Sequence, residues 1–319
     1  MSVPTGPSGS PDLPPPRSSA RSALPPTDRE AWREARRLRF RRRGRRAYIR
    51  SVYFLPSMAT LGNALCGFGA IYVAALTPEQ SGGDPWTSFF ARHHFVVAAY
   101  LIFIAMVWDA LDGRLARWTR HTTDFGGQLD SLADVISFGA APAFLALQVF
   151  KTLGPQDIPL ELSRFVWAIG ALYVACAAIR LARFNVSNEH GEQSHFSFLG
   201  LPSPGAGGAV AGFVLMQQWL AGSVRTWQVQ LADGLVYVLP AVVLLCGLLM
   251  VSNIRYPHVV NRYLRGRKSI WRIVGILSLL LLLLVAHQVT LGVVLLAYVL
   301  LGVAGWLWAK ARRSPAEAA

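Results

Sequence analysis

Long apolar blocks recur along this chain and constrain its fold more than any other feature. In the clearest, no Asp, Glu, Lys or Arg occurs from Ile276 to Val303. A hydrocarbon layer of about 30 Å takes roughly 20 apolar helical residues to cross. Lipid offers no partner to exposed backbone N–H and C=O groups, so such blocks are expected as helices. Eight spans are readable, at about 56–76, 94–115, 129–150, 165–182, 204–220, 234–251, 270–288 and 290–309. The fifth, short and rich in glycine, has the weakest pattern. With 53% hydrophobic and 15% charged residues in 319, there is no room for a large soluble domain. The expected fold is an all-α integral membrane protein with about eight transmembrane helices.

The formal charge of +14 is concentrated at the N-terminus and in alternate loops. That distribution encodes membrane topology and argues against a nucleic-acid partner. The N-terminal arm, the segments 114–120, 180–195 and 255–268, and the tail with Lys310, Arg312 and Arg313 are basic. The loops between them are poor in Lys and Arg. An even number of spans with both termini cytoplasmic satisfies this pattern, in a plasma membrane that would be the inner membrane of a bacterium.

Residues 1–28, rich in Pro, Ser and Ala, are expected to be disordered. Residues 29–50 carry eleven arginines with Trp32, Leu38 and Phe40 between them, a pattern suited to an amphipathic segment on anionic lipid or to a plain topology signal. No cleavable signal peptide is expected. A catalytic core over 51–220 is followed by further membrane helices over 221–309 and a tail over 310–319. Cys66, Cys176 and Cys246 lie in apolar segments without metal-ligand or disulfide spacing and read as packing residues.

Acidic residues are costly in a membrane helix and mark function by default. Asp109 lies about 22 Å along the second span from its outer start, near the inner boundary of the hydrocarbon. Asp112 follows on the same face, with Gly113 beside it leaving room for close approach. The polar stretch TRHTTDFGG reverses the chain, and Asp130 and Asp134 then share a face of the third span, with Gly126 on the same stripe. Two antiparallel helices would bring the four carboxylates together at one depth. Divalent cations would offset the cost of burying them, and an all-oxygen set favours Mg²⁺ or Mn²⁺, with two ions suited to a diphosphate. Helix-end acids paired with Arg114, Arg117 and Arg120 are the plainer alternative.

The run Asp109-x2-Asp112-Gly113-x2-Ala116-Arg117-x8-Gly126-x3-Asp130-x3-Asp134 resembles the full signature of the CDP-alcohol phosphotransferase family. The resemblance implies metal-dependent transfer of a phosphatidyl group from CDP-diacylglycerol to an alcohol, with release of CMP. It makes Asp109, Asp112, Asp130 and Asp134 metal ligands and Asp134 also the base. It assigns Gly113, Ala116, Arg117 and Gly126 to the donor, with Thr60 and Asn63 of the first span toward the cytidine end.

Three more pieces, SFGAAPA after Asp134, RLARFN at 180–185 and FLGLPSPGAGGA at 198–209, resemble the phosphatidylserine synthases of this family over about 53–220. The implied acceptor is L-serine. Arginine's planar fork suits a carboxylate, which makes Arg180 and Arg183, helped by Asn185, the candidates for holding it, although arginines at an inner helix end also serve topology. The glycines of GAGGA depart from the alanines more usual there. Glycerol 3-phosphate, inositol phosphate and choline remain alternative acceptors, a metal or ion transporter is a different class of reading, and a homodimer is left open.

Overall fold

The computed structural model of the chain describes residues 58–77, 85–119, 124–155, 159–189, 200–254 and 270–312. The N-terminal tail and the arginine-rich segment lie outside them. The described residues are helical, without strands: α1 (Met58–Ala74), α2 (Pro85–Arg92), α3 (His94–Thr119), α4 (Asp124–Asp134), a π-helical turn (Val135–Ala140), α5 (Ala141–Leu153), α6 (Leu160–Glu189), α7 (Ser203–Ala221), α8 (Thr226–Val251) and α9 (Ile270–Arg312). Five stretches are long and apolar enough to cross a membrane: His94–Leu115, Phe125–Leu153, Leu160–Val186, Thr226–Val251 and Leu277–Trp308. Large apolar side chains such as Trp167, Tyr237, Leu284 and Leu301 point outward, as expected where the surrounding solvent is lipid.

The weakest span of the sequence, α7, is the centre of the bundle. It touches α3, α5, α6, α8, α9 and the π turn, and most of its residues are buried. Its glycines permit this. A Cβ on Gly207 would come within 3.2 Å of Phe138 Cα and of Pro142, and one on Gly212 within 3.0 Å of Gly292 Cα. Small residues at helix interfaces let backbones approach, and van der Waals contact then replaces lipid contact. The GAGGA stretch is therefore a packing device. Its low hydropathy reflects a helix surrounded by protein.

Two expected spans, 270–288 and 290–309, form one assigned helix broken at Ala286, whose φ −138° and ψ 53° leave the helical region. The Thr290 hydroxyl lies 2.9 Å from the Ala286 carbonyl and 3.0 Å from that of Leu282, eight positions back. In a straight helix eight residues span about 12 Å, so the chain bends sharply here. The third span also starts earlier than expected. Helix resumes at Asp124, so the DFGG part of the polar stretch forms its first turn. A Gly cannot be faulted there, because an N-terminal turn retains few intrahelical bonds to weaken.

Candidate active site

Three contacts assemble the site on α1, α3 and α4. Gly62 packs under Trp108, where an added Cβ would be 3.0 Å from the indole, and this seats α1 on α3. Gly67 faces Ser137, where a Cβ would fall 2.4 Å from Ser137 Oγ and 2.7 Å from its Cα. Only glycine lets α1 come this close to the π turn. The Ser137 hydroxyl completes the junction by donating to the Asn63 carbonyl at 2.8 Å.

With α1 fixed in this way, its two polar side chains reach the aspartates. Asn63, fully buried, donates its side-chain amide to Asp134 Oδ1 at 2.9 Å. Thr60, also buried, donates its hydroxyl to Asp112 Oδ2. Asp112 and Asp134 are themselves buried, and Asp109 and Asp130 are half-buried. Carboxylate oxygens of Asp109, Asp130 and Asp134 lie within 4.8 Å of one another. Of the four acids expected to converge, three form this tight group, and the fourth, Asp112, is held against Thr60.

Such a set fits a hard divalent cation. Its donors are all carboxylate oxygens, it contains no His or Cys, and its clustered charge at the end of membrane helices needs compensation.

The remaining expected residues fall at the same end of the bundle. Gly113 has no atom of the described residues within 4 Å of an added Cβ. Gly126 is half-buried in the first turn of α4. Ala116 and Arg117 belong to α3, but their side chains lie outside the described residues. Arg180 of α6 is half-buried, donates from Nη1 to the buried Ser203 hydroxyl at 2.6 Å, and acts electrostatically on Asp134. Its Nε has no hydrogen-bond partner among the described residues. Arg183 is exposed, with both terminal nitrogens on Asn253 at 3.3 and 3.4 Å. Asn185 donates to Ser131 Oγ at 2.9 Å, next to Asp130 in sequence, and so ties α6 to α4.

Residues that sequence reasoning had passed over do much of the positioning. Gly67, Ser137 and Ser203 each lie inside a stretch noted above, but their partners are remote in sequence. Gly200, at φ +88°, lets its own N–H reach the Ile254 carbonyl and that of Leu201 reach the Leu249 carbonyl, both at 2.9 Å. An added Cβ there would be 2.4 Å from the Met250 carbonyl oxygen. This docks the start of α7, and with it Ser203, on the end of α8.

Residues 53–236 match the CDP-alcohol phosphatidyltransferase family. The chain belongs to that family. It is an integral membrane enzyme of a divalent-metal-dependent phosphotransferase family, and the matched region contains every site residue named above. Among similar proteins is the CDP-diacylglycerol–serine O-phosphatidyltransferase of Helicobacter pylori, 31% identical over 263 residues, covering 82% of this chain and 94% of the relative. Proteins of the same name from Bacillus subtilis and Methanocaldococcus jannaschii are each 32% identical. They cover 64% and 59% of this chain, and 90% and 79% of their own lengths.

Proposed function

We propose that this protein transfers the phosphatidyl group of CDP-diacylglycerol to L-serine, giving phosphatidylserine and CMP. The observation that carries the chemistry is the carboxylate group of Asp109, Asp130 and Asp134, braced through Asp134 by Asn63. The serine acceptor is supported by relatives of that name over most of the chain and by the half-paired guanidinium of Arg180.

Asp109, Asp130 and Asp134 would hold a divalent ion, Mg²⁺ or Mn²⁺, with Asp112 completing the set for a second; bound there, the ions neutralise the diphosphate and the charge on the leaving phosphate. The serine hydroxyl oxygen bonds to the phosphatidyl phosphorus, and the bond from that phosphorus to the bridging oxygen of CMP breaks. Asp134 takes the hydroxyl proton, its carboxylate held in one orientation by the Asn63 amide. Positioning supplies much of the remaining acceleration.

Serine's carboxylate goes to Arg180, whose Nη1 is engaged by Ser203 while Nε remains for a two-point contact. Arg183, exposed and on Asn253, takes a supporting place at the mouth together with Asn185. The donor occupies the open side at Gly113, with Ala116, Arg117 and Gly126 beside its phosphates. Thr60 and Asn63 lie toward its cytidine, and Asn63 Oδ1, buried and unpaired among the described residues, is an acceptor available there.

The arms of α9 on either side of Ala286 act as separate spans, giving eight with α1 and α7. Both termini and the site then face the cytoplasm of a plasma membrane, with residues 51–220 as the catalytic core. A CMP-release assay on purified protein with CDP-diacylglycerol and Mn²⁺, offering serine, glycerol 3-phosphate, inositol phosphate and choline in competition, tests the acceptor. Turnover on serine supports the proposal, whereas silence on serine with turnover on another alcohol replaces it.

A further inference from the structure

Between the half of the third span that carries Asp130 and Asp134 and the half packed in the core lies the π turn Val135–Ala140, in which the Ala141 N–H bonds the Ile136 carbonyl five residues back. A π turn holds one more residue than an α turn, and such turns concentrate at functional sites. Two residues explain why it sits here. In an α-helix the Phe138 carbonyl would accept from the N–H of residue 142, but residue 142 is proline and has none. The freed carbonyl is instead satisfied from another helix, by the hydroxyl of Tyr173 on α6, which donates to it at 3.0 Å. Both Tyr173 and Phe138 are almost wholly buried, so no water replaces this bond.

We infer that Pro142 and Tyr173 are positioning residues for the metal-binding carboxylates, acting by holding this turn open. Removing one residue from the turn would rotate α4 by about 100° and shift it by about 1.5 Å relative to α5. The stripe bearing Asp130 and Asp134 would swing away from Asp109, and the Asn63 bond to Asp134 would be lost. Neither Pro142 nor Tyr173 touches a carboxylate; both act through the register of one helix. The inference rests on the reading of Asp109, Asp130 and Asp134 as a cation site.

The test uses purified full-length protein and measures Mn²⁺ binding without substrate, by the electron paramagnetic resonance of free Mn²⁺, beside the thermal midpoint. The double variant Pro142→Ala/Tyr173→Phe gives the Phe138 carbonyl its α-helical donor and removes the competing hydroxyl, so that carbonyl keeps a partner in the α register. Its Mn²⁺ Kd is expected to rise tenfold or more, read on protein that a cooperative thermal transition shows to be folded. Should it fail to fold, Pro142→Ala alone carries the test, because it supplies the α-helical donor to the Phe138 carbonyl, and a rise in Kd of the same size is expected. A rise of less than tenfold in the folded variant overturns the inference. Absence of Mn²⁺ binding in the parent protein would instead overturn the cation-site reading beneath it.

Discussion

The side-chain amide of Asn63 meets the carboxylate of Asp134 across 2.9 Å, joining the first described helix to the fourth at a fully buried position. A hydrogen bond to a charged group contributes about 1.5–3 kcal/mol, so its loss should be visible in rate. Asn63→Ala is expected to lower kcat for CMP release by roughly 10- to 100-fold, with a smaller change in the KM for serine. A steady-state comparison with the parent enzyme checks this.

Gly67 and Gly113 should respond oppositely to the same substitution. Gly67→Ala places a methyl 2.4 Å from Ser137 Oγ and forces α1 off the π turn. A stability loss of about 1–3 kcal/mol, seen as a lower thermal midpoint, and a fall in activity are expected together. Gly113→Ala meets no atom of the described residues, so its thermal midpoint should not fall. Its KM for CDP-diacylglycerol should rise if the donor occupies that space as proposed.

The hydroxyl of Thr60 on Asp112 is separable from the methyl beside it. Thr60→Val keeps the shape and removes the donor. It is expected to reduce CMP release by about tenfold, on the magnitude of one hydrogen bond to a charged group. Thr60→Ser should retain most of the parent rate.

Arg180 and Arg183 look alike in the sequence, both near the same end of one span, and the structure separates them. Arg180→Lys removes a planar fork from a half-buried position beside Ser203, and the KM for serine should rise by roughly 10- to 100-fold. Arg183→Ala removes an exposed side chain from Asn253, and a change of about threefold or less is expected, in keeping with the small effect of most surface substitutions. Serine titrations at saturating donor discriminate the two.

The approach of Asp109 to Asp130 and Asp134 was legible because periodicity three and four places Asp109, Asp112, Asp130 and Asp134 on helix faces whatever the neighbours are. Thr60 and Asn63 were singled out through resemblance alone, and their bonds to Asp112 and Asp134 come from the structure. What escaped depends on contacts between remote positions: the Gly67–Ser137 approach, the Tyr173 bond to Phe138, and the capture of Asp112 by Thr60 in place of a symmetrical cage. Hydropathy misjudged α7 for a physical reason. It measures suitability for lipid, and a helix enclosed by six neighbouring elements meets almost none. The break at Ala286 falls within three residues of the boundary expected between the spans 270–288 and 290–309, although neither Gly nor Pro stands there.

The most direct measurement is CMP release by purified protein in detergent with CDP-diacylglycerol, serine and Mn²⁺, compared between the parent, the parent after chelation of divalent ions, and Asp134→Asn. Serine-dependent release by the parent, lost on chelation, restored by Mn²⁺ or Mg²⁺, and reduced by at least about a thousandfold in Asp134→Asn, is the result expected of a metal-held carboxylate acting as base. Release at the parent rate by Asp134→Asn, or release indifferent to chelation, would contradict it.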